Sequence, residues 1–138
     1  MNYQAEIEKL LNKNKFSIRF LVRFALSCAR DVEEYDKTNK AKECNDVIQL
    51  WLNGKATAIE VKDAASTAMT AAAAYAAYAA AAAAYAANAT AAAYAAYAYA
   101  AYAAPAADKD RNKHSKKYYY VLIEMIDDLT EIQKEFMS

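Results

Sequence analysis

Glycine and proline are nearly missing: the 138 residues include one of each, Gly54 and Pro105. So few breakers exclude sandwiches and barrels built on short strands and turns, and also the glycine-rich loops that cradle phosphates. Cysteine and histidine are as scarce. Cys28, Cys44 and His114 cannot supply four ligands to a zinc cluster without carboxylate help. The Glu-x-x-His motif of di-iron bundles is absent, so neither a metal nor another cofactor is expected. Neither sign of charge is in excess, with 17 Lys plus Arg against 17 Asp plus Glu. A nucleic-acid module carries a basic surplus, so nucleic acid is not an expected partner.

Large aliphatic residues are absent from 70–120, although residues 70–106 are uncharged for longer than a bilayer span requires. Ala and Tyr supply little insertion energy and no basic cluster flanks the segment, so no membrane span is expected. Residues 1–9 carry charges where a signal peptide would have an apolar run. The length suits one domain. Cys28 and Cys44 read as reduced, small buried hydrophobes of a cytoplasmic protein.

What is abundant is alanine, at 36 residues, and tyrosine, at 12. Outside the alanine-rich segment, apolar residues recur at three- and four-residue steps, the spacing of one helix face. Helices are predicted over 1–13 with Ile7, Leu10 and Leu11 inward, and over about 17–35 with Phe20, Leu21, Phe24, Cys28, Val32 and Tyr35. A third is predicted over about 40–52 with Cys44, Val47, Ile48 and Trp51, and a last over about 115–136 with Tyr119, Leu122, Met125, Ile126, Leu129, Ile132 and Phe136. Asn53-Gly54 closes the third helix, because Gly accepts the left-handed conformation. Thr57-Ala-Ile-Glu60 has the form of a capping box.

Residues 71–104 comprise 25 Ala, 7 Tyr, one Asn and one Thr. Ala is the best intrinsic helix former. A single helix over 58–104 would be roughly 70 Å long, against a radius of gyration of about 14 Å for a compact chain of this size. A break is therefore expected near Asn88-Ala89-Thr90, where Asn ends one helix and Thr caps the next. Pro105 ends the block, and 105–115 reads as a charged loop. The expected fold is an all-α, single-domain bundle of five or six helices over 1–138. Two closely packed Ala-rich helices from 58–104 form its centre, since small side chains let helix axes approach.

The tyrosines have two readings. Tyr75, Tyr78 and Tyr85 share one side of their helix, Tyr94 and Tyr97 another, and Tyr99 and Tyr102 a third. Each ring can be core with a wet hydroxyl, or part of a surface for a protein or small-molecule partner. His114 reads as a solvated residue of the charged loop, with Asp108 and Asp110 near it in sequence. Cys28 lies on an apolar face, away from any nucleophile role with His114. Lys109, Lys113, Lys116 and Lys117 form a modest basic segment, solvated or in contact with a phosphate. The acidic pairs Glu33-Glu34 and Asp127-Asp128 read as solvated helix faces. Threonines at 57, 67, 70 and 90 lack the regular step of an ice-binding helix.

Cys28-Ala29-Arg30, then Val47-Ile48 through Trp51 and Gly54, then Ala64-Ala65 and the alanine block form an ordered set. In that order they resemble the Imm5-like family of immunity proteins from bacterial polymorphic toxin systems. The resemblance spans about residues 20–104, and the Trp51-x-x-Gly54 junction carries most of it. The family's His within the alanine block is replaced here by Tyr positions, and its Pro-rich turn before the third helix by 36–40 without Pro. The resemblance implies a non-catalytic protein that binds and neutralises a cognate toxin or effector by occlusion.

The interface is expected on Tyr75, Tyr78, Tyr85, Tyr94, Tyr97, Tyr99 and Tyr102 and on the acidic face of the last helix, Asp127, Asp128 and Glu131. The alternative is a phage- or prophage-encoded counter-defence protein that sequesters a small nucleotide-like ligand. Tyrosines and the lysine-rich segment would line its pocket between helices, and a homo-oligomer would bury the ligand. No constellation of residues supports an enzyme.

Overall fold

The computed structural model describes residues 2–13, 16–71, 75–85, 96, 99, 100 and 108–137. Side chains are described for these apart from 70, 71, 75–78, 85, 108–112 and 130–137. The fold is all-α, and no strand occurs among the described residues. Six helices have described bounds: α1 Tyr3–Lys13, α2 Ile18–Val32, α3 Lys40–Leu52, α4 Ala58–Ala71, α5 Tyr75–Tyr85 and α6 Asp108–Met137. A 3-10 turn, Glu33–Tyr35, follows α2.

Local chemistry sets the helix ends. Ser17 caps α2, its hydroxyl accepting from the Phe20 N–H at 3.1 Å. The helix expected to reach Tyr35 tightens into 3-10 geometry after Val32. Asp36 is 5% exposed. Its carboxylate accepts from the N–H of Thr38 at 3.0 Å, the Thr38 hydroxyl at 2.6 Å and the Ala41 N–H at 2.8 Å, which ties down the start of α3. At the other end Gly54 has φ 76, and the Gly54 and Lys55 N–H groups close back onto Trp51 and Leu50 carbonyls at 3.0 and 2.8 Å. The capping box is present in both directions, with Glu60 N–H to Thr57 Oγ1 at 3.1 Å and Thr57 N–H to Glu60 Oε1 at 3.1 Å.

Packing then arranges these helices around α2 and α5. α5 touches α2, α3, α4 and the 3-10 turn. Ala79 through Ala84 are all buried, so this stretch is enclosed on every side. Six consecutive buried alanines let the neighbours approach closely, and those neighbours bring the bulk: Phe24, Val32 and Ile48 are fully buried. The Cys44 thiol donates to the Ala80 carbonyl at 3.5 Å. Among its described side chains, α4 buries the stripe Val61, Ala65 and Ala68. α4 and α5 lie side by side, so Ala58–Ala71 and Tyr75–Tyr85 are two packed helices. The segment that leads to the break expected near Asn88 thus already comprises two helices, α4 and α5. The expected break at Asn88-Ala89-Thr90 itself lies outside the described residues.

α2 is the shared wall of the molecule. On one side it meets α3 and α5, and on the other it meets α6, which also packs on α1. Tyr3 of α1 sits against Tyr119 of α6 with ring centroids 5.6 Å apart. α6 begins at Asp108, which corrects the charged loop expected over 105–115. Lys, Arg and Asp are compatible with a helix wherever one face finds a partner, and Tyr118 and Leu122 are that face, at 1% and 0% exposure.

Candidate functional site

α2 buries Phe20, Leu21, Val22, Phe24, Ala25, Leu26, Cys28, Ala29 and Val32. What it leaves outward are two polar edges, and each edge borders a cavity.

The first edge is Arg19, Arg23, Ser27 and Arg30, spaced by four, four and three residues along one face. With Leu26, Gln49, Leu52 and Asn53 it lines a groove of about 600 Å³ between α2 and the C-terminal end of α3. Arg19 donates to the Leu52 carbonyl, which sets a cation at the negative end of α3. Its guanidinium also lies 5.6 Å from the centre of the Trp51 ring. Arg30 is held by Glu33 at 3.0 Å and Asp46 at 2.8 Å. Arg23 stands between these two anchored arginines and is exposed. Each guanidinium has five donors, so the groove presents two anchored arginines around one exposed cation. Exposed apolar side chains surround the same end of the molecule: Ile18 at 52%, Leu50 at 43% and Ile59 at 72%.

The second edge is Asp31. Its side chain is 14% exposed and receives three donors from α6. His114 Nδ1 donates at 3.2 Å, the Tyr118 hydroxyl at 2.9 Å, and Lys117 Nζ completes the set. Burial alone would raise the Asp31 carboxyl. The hydrogen bonds from Lys117, Tyr118 and His114 outweigh it and hold the group below the ordinary carboxylate range. Tyr118 moves the other way: burial and the Asp31 charge push its phenol above the ordinary value. A cleft of about 540 Å³ opens beside the cluster, lined by Asp31, Glu34 and Tyr35 from one side and by Lys113, His114, Lys116, Lys117 and Tyr120 from α6.

This overturns the reading of His114 as a solvated loop residue. The ring is helical and half-buried, and it pairs with Asp31, 83 residues away. Cys28 and Cys44 are both free and buried. Burial raises the Cys28 thiol well above its ordinary value, with Asp31 adding to the effect, and pushes Cys44 up to about 12. Neither is poised as a nucleophile. Among the described residues no group of three or more His, Cys, Asp or Glu side chains could hold a metal, and no helix is long and apolar enough to cross a membrane.

Three of the interface residues expected from sequence have described side chains. Asp127 and Asp128 are exposed on α6, and Tyr99 is helical and 37% exposed. Tyr75, Tyr78 and Tyr85 belong to α5, and Glu131 to α6, but their side chains lie outside the described residues. Tyr94, Tyr97 and Tyr102 lie outside them altogether. Of the three whose side chains are described, Tyr99, Asp127 and Asp128, none lines either cavity. The residues that line the cavities were legible in part: Arg19, Arg23 and Arg30 follow helical spacing in the sequence, as do Lys113, Lys116, Lys117 and Tyr120 once α6 starts early enough. No family model matches the chain, and neither a curated protein nor a solved structure matches it.

Proposed function

We propose that the chain is a non-catalytic binding protein that neutralises a protein partner by covering it, as an immunity protein covers a toxin. The observation that carries this reading is the groove of Arg19, Arg23 and Arg30, together with the exposure of Ile18 and Leu50 on the two helices that form it and of Ile59 at the start of α4. Arginine and apolar anchors within a rigid frame are the composition of energetic centres in protein interfaces. Anchoring Arg19 and Arg30 in advance lowers the ordering cost of binding. The partner that fits is one with an acidic patch over its functional site, since opposite charge speeds encounter and selects register. The resemblance of residues 20–104 to the Imm5-like family supports the same class of function. The protein would act in the cytoplasm, where its two buried cysteines stay reduced.

A photo-crosslinking residue placed at Arg23 or at Ile59 tests the reading in the source cells. The expected outcome is one captured polypeptide whose separate expression arrests growth and whose co-expression with this chain does not. Arg23→Glu combined with Ile59→Asp, both at exposed positions, should abolish the protection while leaving the urea midpoint within about 0.5 kcal/mol. A captured protein that is harmless alone, or that the double variant neutralises equally well, overturns the proposal.

A further inference from the structure

The cleft between α2 and α6 is a second site, separate from the arginine groove, and its lining has a different chemistry. Lys113, Lys116, Lys117 and Tyr120 fall at steps of three, one and three residues on α6, which is one helix face. Asp31, Glu34 and Tyr35 face them from the end of α2 and the 3-10 turn. Two aromatic rings, Tyr35 at 36% and Tyr120 at 52% exposure, therefore flank a group of cations. Tyr120 is backed by other rings, with Tyr119 at 5.3 Å and Tyr3 at 6.4 Å between centroids, so its position is supported.

The charges in the cleft are already sorted. Lys117 is engaged by Asp31, whereas Lys113 and Lys116 are exposed and face the opening. His114 commits Nδ1 to Asp31, which leaves Nε2 as the ring atom a ligand can use. Glu34 is exposed at the rim and can accept from a hydroxyl. The volume of about 540 Å³ lies inside the range of small-molecule sites, about 300–1,000 Å³.

We propose that this cleft binds a mononucleotide, with its phosphate on Lys113 and Lys116, its base against Tyr35 or Tyr120, and a ribose hydroxyl on Glu34. Each part of such a ligand meets the group that recognises it: cations for the phosphate, a π face for the base, a carboxylate for the sugar. A bare anion would leave the aromatic pair unused, and a neutral aromatic molecule would leave the lysines unused. Nothing in this assignment depends on the arginine groove.

Isothermal titration of the full chain with the four ribonucleoside 5′-monophosphates tests it, with inorganic phosphate and the parent nucleosides as fragment probes. At least one nucleotide should bind saturably at one site per chain, and phosphate and the matching nucleoside should each bind at least ten-fold more weakly. Lys113→Glu with Lys116→Glu should weaken the nucleotide at least ten-fold, and Tyr120→Ala several-fold. All three positions are exposed, so an unchanged urea midpoint separates lost binding from lost folding. Arg23→Glu should leave nucleotide binding unchanged. The proposal is overturned by no saturable binding of any of the four at millimolar concentration, by phosphate alone binding as tightly, or by the double lysine variant binding like the parent chain.

Discussion

Three side chains of α6 converge on one carboxylate of α2, and the energetics of that junction follow from the chemistry of Asp31. An ionised carboxylate only accepts, and it has room for the three donors it receives from His114, Lys117 and Tyr118. Its pKa is depressed in the folded chain, as is that of Asp36 under the Thr38 hydroxyl and the Ala41 N–H. A depressed carboxyl binds protons less readily in the folded state than in the unfolded one. Its stabilising contribution is therefore complete above the unfolded value, about 3.9, and is lost as pH falls through the lower folded value. The urea midpoint should hold down to about pH 5 and fall below about pH 4. Asp31→Asn should cost about 1.5–3 kcal/mol near neutrality, the worth of hydrogen bonds to a charged group, and should make the acid fall shallower. An acid limb of unchanged steepness in the variant would show that Asp31 is not among the groups that cause it.

Helix ends and helix interiors are controlled by different terms, and the two can be perturbed separately. Thr57→Ala removes the acceptor for the Glu60 N–H at 3.1 Å and should lower stability by about 1 kcal/mol in chemical denaturation. This site is exposed, so no cavity term adds to the loss. Ala83→Leu tests the interior of α5. Ala83 is fully buried, so the added carbons must displace neighbours, which costs about 1–3 kcal/mol or more. The same exchange at Ala58, exposed in the first turn of α4, should be nearly neutral. Equal effects at both sites would mean that α5 is not closely enclosed. These two cases also differ in legibility. The capping box is readable because its partners are three residues apart. The enclosure of α5 is not, because 71–104 is nearly uniform alanine and a uniform helix has no face to point inward.

At the scale of the whole molecule, a chain of zero formal charge gathers three arginines in the groove between α2 and α3 and three lysines in the cleft between α2 and α6. α2 and α5 are enclosed from several directions, whereas α1 buries only Ile7 and Leu11 and packs chiefly on α6. Opening free energy follows burial and local contact. Amide hydrogen exchange under native conditions should therefore be slowest in α2 and α5 and fastest in α1. Exchange of α1 at the rate of α2 would instead mean that the molecule opens as one cooperative unit.

Composition and spacing determined the all-helical fold, the bounds of α3 to the residue, the glycine stop at Gly54 and the Thr57–Glu60 cap, because each depends on residues within one or two turns of each other. The same local reading misplaced the start of α6. The segment from Asp108 is polar, and its helical face becomes apparent only against the surface it meets. Tertiary structure alone decided where the two cavities lie. Asp31 and His114 are 83 residues apart, and Arg19 reaches the carbonyl of Leu52 across 33. No periodicity links such positions. The packing of α6 and α3 onto α2 brings them together, and α3 and α2 are in turn drawn onto the narrow alanine-rich α5.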